Sequence, residues 1–191
     1  YDFLKNVQKQ KQYLGSIFVF VSIFSTIVSI LLIIFNNAIG EILFREIPVK
    51  PYYFYLVGLA WASGLYTLPI ALFRAQENAR AFVIINIIRA LGTMVGSSFL
   101  IIQMEFGAEG PLLIQMIITF LMFIVSSRMQ LKNLTLSFNI KYIKDSIWFS
   151  VPMIPHVASV WIISSSDRVI LEKFVSMEDL GLYSLAAQVS T

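Results

Sequence analysis

The sequence of this 191-residue chain contains no cysteine, only one histidine and few charged residues. Without cysteine, neither a disulfide framework nor a thiolate metal site can form. A metal cluster would have to rely on carboxylates, yet the eleven acidic residues fall almost wholly between the apolar runs. We therefore predict no metal site and no cofactor.

Sequence motifs of common enzyme classes are also missing. There is no G-x-x-x-x-G-K phosphate loop, and nothing resembles the nucleophile elbow of hydrolases. The net charge of +3 follows from the basic loops described below, so it does not indicate a nucleic-acid partner. We therefore do not expect an enzyme.

Apolar residues are in large excess: 58% of the chain is hydrophobic, 13% is charged and the mean hydropathy is +0.78. A soluble domain of this size leaves roughly a third of its unfolded surface exposed, so it cannot hide that much apolar surface. Backbone groups in lipid must bond within the chain. These properties predict an all-α, polytopic transmembrane helix bundle.

Charge-poor intervals locate the spans, because a bilayer core needs about 20 apolar residues in a helix. Five spans and the start of a sixth are predicted. Because the sequence starts at Tyr1 and the sixth run stops at Thr191, we expect a fragment of a longer protein. The predicted intervals are 12–40, 51–73, 81–104, 110–127 and 146–166, and the sixth begins at Leu180.

Lysine and arginine in the loops predict the orientation, since basic residues favour the cytoplasmic side. Nine fall on one side of the predicted spans and four on the other, and Arg89 lies within a span. We therefore place the more basic side in the cytoplasm. The nine basic residues on the cytoplasmic side are Lys5, Lys9, Lys11, Arg74, Arg80, Arg128, Lys132, Lys141 and Lys144. The four on the other side are Arg45, Lys50, Arg168 and Lys173.

Small and polar residues recur at helical spacing in the first span, and they form one stripe. Two interpretations stand: a close helix–helix seam, or one wall of an aqueous cavity. The stripe consists of Gly15, Ser22, Ser25, Ser29 and Asn36.

The third span carries the most informative polar face. Asn86, Arg89 and Thr93 share it, and an arginine inside a span usually faces protein or water because lipid penalises its charge. Arg89 either faces a cavity, where its planar fork suits a phosphate group, or extends to the headgroups. We select these three residues as candidate substrate-binding residues. The opposite face is predicted to hold Ile85, Ile88, Val95, Phe99 and Ile102.

The short loop between the second and third spans reads RAQENAR. It predicts a solvated cytoplasmic hairpin in which Glu77 forms ion pairs with neighbouring arginines. Arg74 and Arg80 are further candidates for contact with substrate.

The fifth predicted span contains two prolines and the histidine. Pro152 and Pro155 each remove a helical donor, so the helix should kink or unwind there. His156, near the middle of the interval, is interpreted as a buried neutral side chain or as a proton relay. Asp167 and Arg168 at the outer end are an interfacial ion pair or part of a gate.

The tract 131–144 alternates apolar and polar residues, as a strand would, but a single strand at a membrane surface has no partner. We predict a linker that becomes an interfacial helix.

Two stretches resemble a known family. They are LFRAQENARAFVIINIIRALGTMVG and, more strongly, SVPMIPHVASVWIISSSDRVILEKFVSMEDLGLYSLAAQ. The second combines Pro-x-x-Pro-His, an apolar stretch, Ser-Asp-Arg and Gly-Leu-Tyr-Ser. Both are similar to the polysaccharide biosynthesis (Wzx-type, O-antigen) flippases of the multidrug/oligosaccharidyl-lipid/polysaccharide exporter superfamily.

The resemblance implies two helical lobes around a cavity that opens alternately to each side of a bacterial or archaeal cytoplasmic membrane. Residues 1–130 would belong to the N-terminal lobe, 131–145 to an inter-lobe linker and 146–191 to the C-terminal lobe. The implied substrate is an undecaprenyl-diphosphate-linked oligosaccharide, with Arg89 near the diphosphate and His156 or Asp167 available for cation coupling. Membrane lipids and other polysaccharide assembly proteins are the implied partners.

Two alternative functions remain. A cation-coupled drug antiporter of the same superfamily would be indicated by an acidic residue deep in a helix, and none is present. A membrane-embedded polymerase or glycosyltransferase would be indicated by large outer loops or a clustered acidic motif.

Overall fold

The computed structural model describes residues 7–37, 39, 50–104, 106–171, 174–175 and 177–190. Several side chains from residue 164 onward are not described, including those of Asp167 and Arg168. The described residues form helices and no strand, which confirms the all-α prediction. The helices are α1 (Val7–Ile34), α2 (Tyr52–Ala75), α3 (Ala79–Met104), α4 (Glu109–Gln130), α5 (Ile140–Ser150), α6 (Ile154–Leu171) and α7 (Met177–Ser190).

Five helical segments of the described chain are long and apolar enough to cross a membrane. They correspond one to one with the five predicted spans. A helix of this length satisfies its own backbone hydrogen bonds, which is the condition for crossing lipid. The segments are Val7–Ile34, Tyr52–Ala75, Ala79–Met104, Glu109–Asn133 and Ile140–Ile163.

The helical segments begin or end outside the charge-poor intervals that predicted them. The fourth runs on to Asn133 and so includes Arg128 and Lys132, whereas the prediction stopped at residue 127. The charge of a long basic side chain can reach headgroups while its backbone stays helical, so charge alone does not mark a helix end.

The chain divides into two compact units, Tyr1–Ile143 and Lys144–Thr191. In the first unit, α2 packs against α1, α3 and α4. It is the most buried of the five spans, because its inward residues recur at helical spacing along much of its length. Tyr66, Ile70 and Phe73 of α2 and Ile85 of α3 form a buried apolar cluster.

The polar stripe of α1 faces α2 at Ser25, and neighbouring α1 residues bond to α2. Trp61 Nε1 donates a hydrogen bond to Thr26 Oγ1 at 3.0 Å, and Tyr53 donates from its hydroxyl to the Leu32 carbonyl at 2.7 Å. A Cβ placed on Gly64 would lie 3.6 Å from Ser25 Oγ. At Ser25 the stripe therefore lies in a helix–helix seam, one of the two interpretations that the sequence left open.

The tract after α4 docks on the first turns of α1 instead of forming a strand. A 3-10 turn, Leu131–Asn133, leads into extended backbone over 134–139. The Thr135 N–H donates to the Lys11 carbonyl at 3.1 Å. A Cβ on Gly15 would overlap the Thr135 carbonyl, so only glycine permits this approach.

The prolines of the fifth span lie around one break in the helix. α5 ends at Ser150, a 3-10 turn covers Val151–Met153, and α6 follows. Pro152 lies within the turn. Pro155 lies in the first turn of α6, where a backbone N–H would have no helical partner and proline is tolerated.

The close approach of the Thr135 carbonyl to Gly15 leads to a prediction about stability. Alanine favours helix over glycine by about 0.8–1.0 kcal/mol, so Gly15→Ala should strengthen α1 taken alone. The added methyl group collides with Thr135, and overpacking of this kind destabilises by about 1–3 kcal/mol. We expect a lower melting temperature for the purified protein in detergent.

The matched control for this variant is Gly107→Ala, because no atom lies within 4 Å of a Cβ at that position. If Gly15→Ala melted no earlier than Gly107→Ala, the close approach of the tract to α1 would be wrong.

Candidate functional site

Arg89 lies about 15 Å from the start of α3 at 1.5 Å per residue, and its side chain turns towards α2. The guanidinium carbon is 5.3 Å from the centre of the Tyr66 ring, within range of a cation–π interaction. Tyr66 is itself about 14 Å from the end of α2 that leads into α3, by the same rise per residue. The guanidinium of Arg89 and the ring of Tyr66 therefore lie at about the same distance from the α2–α3 hairpin.

A short hydrogen-bond chain fixes Tyr66 in this position. Its hydroxyl donates to Asn86 Oδ1 at 3.2 Å, and Asn86 Nδ2 donates to the Phe82 carbonyl at 2.8 Å. Tyr66 is 7% exposed, so its hydroxyl could not find bulk water as a substitute partner. We call Tyr66, Asn86 and Arg89 the Arg89 cluster.

The Arg89 side chain retains unused donor capacity. Its Nε atom is buried and has no hydrogen-bond partner among the described residues. A guanidinium carries five N–H donors in a planar fork and stays charged. At least one donor of this cation is therefore not used by the described residues.

The polar face of α3 agrees with the sequence pattern in part. Thr93 donates to the Arg89 carbonyl at 2.8 Å, so its hydroxyl bonds to its own helix and not to the guanidinium. Tyr66, on another helix, had not been selected from the sequence. Aromatic residues are frequent in spans, and nothing in the spacing linked this one to Arg89.

The opposite face is exposed at Ile88, Val95, Phe99 and Ile102, as predicted. Ile85 was placed there wrongly, since it is 4% exposed and packs with Tyr66 and Phe73. The inward face of α3 is therefore wider than its polar residues indicated.

Arg74 and Arg80 lie at the α2–α3 hairpin and not in the Arg89 cluster. Both are exposed, and Arg80 is about 14 Å from Arg89 along α3. The guanidinium carbon of Arg74 lies 5.6 Å from the centre of the Phe82 ring. An open groove of about 280 Å³ is lined here by Phe73, Arg74, Glu77, Ala79 and Phe82.

Among the described residues, Glu77 forms none of the ion pairs with Arg74 or Arg80 that the sequence predicted. Glu77 adopts φ 55°, and backbone bonds close the turn, including one from the Asn78 N–H to the Phe73 carbonyl at 3.0 Å. These backbone bonds stabilise the hairpin, and the Arg74 side chain contacts the Phe82 ring.

In the second unit, His156 is exposed, which contradicts the interpretation as a buried side chain. The carbonyl of Pro155 accepts a hydrogen bond from Ser159 Oγ at 2.7 Å. The side chains of Asp167 and Arg168 lie outside those that the structure describes, so the predicted gate or coupling pair stays a prediction. Among the described residues, no group of three or more His, Asp or Glu side chains forms a metal site.

The Tyr66 geometry predicts a graded effect of substitutions. Tyr66→Phe keeps the ring under Arg89 and loses one hydrogen bond, which costs about 1 kcal/mol. Tyr66→Leu also removes the cation–π contact and should cost about 1–2 kcal/mol more. We expect melting temperatures in detergent to fall in that order.

Phe99→Leu is the matched control, because Phe99 is 56% exposed and lies on the outer face of α3. Equal melting temperatures for Tyr66→Leu and Phe99→Leu would contradict a specific Tyr66–Arg89 contact.

Comparison with known proteins identifies the family. A family model described as "polysaccharide biosynthesis protein" matches residues 4–191. Searches of curated proteins and of solved structures found no match. Because the family match covers nearly the whole sequence, and because this sequence forms a bundle of membrane-length helices, the chain belongs to the polysaccharide biosynthesis protein family.

Proposed function

We propose that this protein is a flippase that moves a lipid-linked oligosaccharide across a bacterial or archaeal cytoplasmic membrane. The family membership and the five membrane-length helices support a membrane step of polysaccharide biosynthesis. The proposed substrate is an undecaprenyl-diphosphate-linked oligosaccharide, and the proposed mechanism is alternating access. The carrier has an apolar tail that remains in lipid and a diphosphate-sugar head that must cross the apolar core.

The Arg89 cluster is the observation on which this proposal depends. A diphosphate that leaves water needs a cation and hydrogen-bond donors inside the bundle. Arg89 supplies both, because its charge is held over Tyr66 and its buried Nε is unpaired among the described residues. An arginine fork binds phosphate oxygens in a bidentate manner, which a lysine cannot do.

The energetic balance argues against a purely structural role for Arg89. An arginine in the middle of a span costs at least about 2.5–3.5 kcal/mol on insertion scales. The contact with Tyr66 returns about 0.5–2 kcal/mol of this. A leucine or methionine would pack α2 against α3 without that penalty, so the charge itself is the property that the site requires.

The other candidates take supporting roles in this proposal. Asn86 has its Oδ1 and Nδ2 engaged by Tyr66 and Phe82, so it holds the cluster in place. Arg74 and Arg80, exposed at the hairpin, contact anionic headgroups at the membrane surface. Thr93 positions the α3 backbone next to Arg89. Asp167 and Arg168 are assigned to gating or cation coupling, and His156, which is exposed, is given no part in it.

The proposal predicts that Arg89→Ala abolishes surface polysaccharide while the protein inserts at normal levels. Losing a charge-assisted hydrogen bond costs about 1.5–3 kcal/mol, which corresponds to at least about a tenfold loss of transport. Surface polysaccharide and the lipid-linked intermediate that accumulates inside should both be measured. Arg89→Lys should restore transport only in part, because it retains charge without the fork.

Arg80→Ala is the matched control, since it removes an arginine from the same helix at an exposed position. We expect it to export close to the unsubstituted level. Normal export by Arg89→Ala, at normal membrane levels, would refute the proposed role of the cluster.

His156 provides a separate test of coupling. Because the imidazole is exposed and has no hydrogen-bond partner among the described residues, we expect His156→Gln to leave both the rate and the pH dependence of export unchanged. A shifted pH profile would instead assign the histidine to proton coupling.

A further inference from the structure

The tract that follows α4 is joined to α1 through side chains as well as backbone. Ser16 is 0% exposed and donates to the Gln12 carbonyl at 2.8 Å. Ser137 Oγ lies 3.0 Å from Ser16 Oγ and donates to the same Gln12 carbonyl at 3.0 Å. The Asn139 N–H donates to Ser16 Oγ at 3.3 Å.

Further contacts secure both ends of the tract. The Lys11 ammonium donates to the Lys132 carbonyl at 2.7 Å, before the extended segment. Beyond that segment, the rings of Tyr13 and Tyr142 meet edge to face at 5.6 Å between centroids. Leu134 and Ile143 are buried, at 8% and 7% exposure. The tract 131–143 is thus hydrogen-bonded to α1 at several points and buried at Leu134 and Ile143, unlike a free linker.

We propose that the tract 131–143 stays docked on α1 throughout the transport cycle, so that the bending point of the chain lies beyond Ile143, at the 3-10 turn Val151–Met153. This inference rests on the proposed function in assuming a cycle of alternating access. Undocking would separate the Thr135 and Asn139 N–H groups and the Ser137 hydroxyl from their partners on α1 at once. The 3-10 turn carries no such network among the residues that the structure describes, and Pro152 already interrupts its helical bonding.

The cysteine-free sequence permits a direct test by cross-linking in the complete protein. Ser16→Cys and Ser137→Cys replace two hydroxyls that lie within hydrogen-bond distance, so the double variant should oxidise readily to a disulfide. The oxidation is carried out in membranes, and the yield is measured as the loss of maleimide-reactive thiols after the protein has been unfolded in detergent, because a thiol at the buried position 16 would not react in the folded protein. Transport is then compared between the oxidised protein and the same protein after reduction.

We expect a high yield of the disulfide and equal transport in the oxidised and reduced forms. Failure of the disulfide to form would show that the tract is not docked. A disulfide that blocks transport until it is reduced would show that the dock opens during the cycle. Either result overturns the proposal, whereas a reduced protein that does not transport at all would count against the proposed function.

The bending point is tested by Pro152→Ala. Alanine restores a backbone donor, which allows α5 and α6 to join as one stiffer helix. We expect slower transport with unchanged cross-linking between positions 16 and 137. The matched control is Pro155→Ala, which acts in the first turn of α6 and should have the smaller effect. Unchanged transport by Pro152→Ala would place the bending point elsewhere.

Discussion

The placement of one guanidinium against one aromatic ring organises the proposed site. The Arg89 charge lies over Tyr66, and the Tyr66 hydroxyl is held by Asn86. The interaction requires α2 and α3 to be adjacent, and the buried cluster of Tyr66, Ile70, Phe73 and Ile85 provides that adjacency. The tight hairpin between the two helices brings these side chains to a common depth. Packing of α2 against its neighbours is therefore what makes a charge inside the bundle tolerable.

The need to pair buried polar groups also explains why the tract after α4 lies against α1. An extended segment beside a membrane helix must find partners for its backbone, because unpaired buried groups are costly. The tract after α4 finds them on the first turns of α1, where Gly15 allows backbone contact and Ser16 supplies a buried hydroxyl. Glycine and serine serve close packing here, as they do in helix–helix seams.

The two proposals assign different roles to two parts of the first unit. In these proposals the Arg89 cluster provides charge and an unused donor for an anionic group, whereas the contact between α1 and the tract 131–143 keeps that part of the chain rigid. Transport by alternating access needs both: a site that keeps its geometry and a chain that bends at a limited number of points. The 3-10 turn at Pro152 has the backbone properties of such a point.

The sequence by itself determined the class of the fold and located the five membrane-length helical segments of the described chain. Long apolar runs can satisfy their backbone in lipid only as helices, and this rule needs no knowledge of neighbours. It also singled out Arg89, because a charge within an apolar run is visible in one dimension. Helix ends were less accurate, since the basic residues near Asn133 belong to the fourth helical segment.

Only the tertiary structure decided which residues surround that charge. The packing of α2 on α3 places Tyr66 next to Arg89 and turns Ile85 inward. Thr93 donates to the Arg89 carbonyl of its own helix. The partner of the tract 134–139 was likewise hidden, because its contacts join residues more than a hundred positions apart in the sequence. Periodicity reports the face of a single helix, whereas these contacts depend on the distances between elements, which periodicity does not contain.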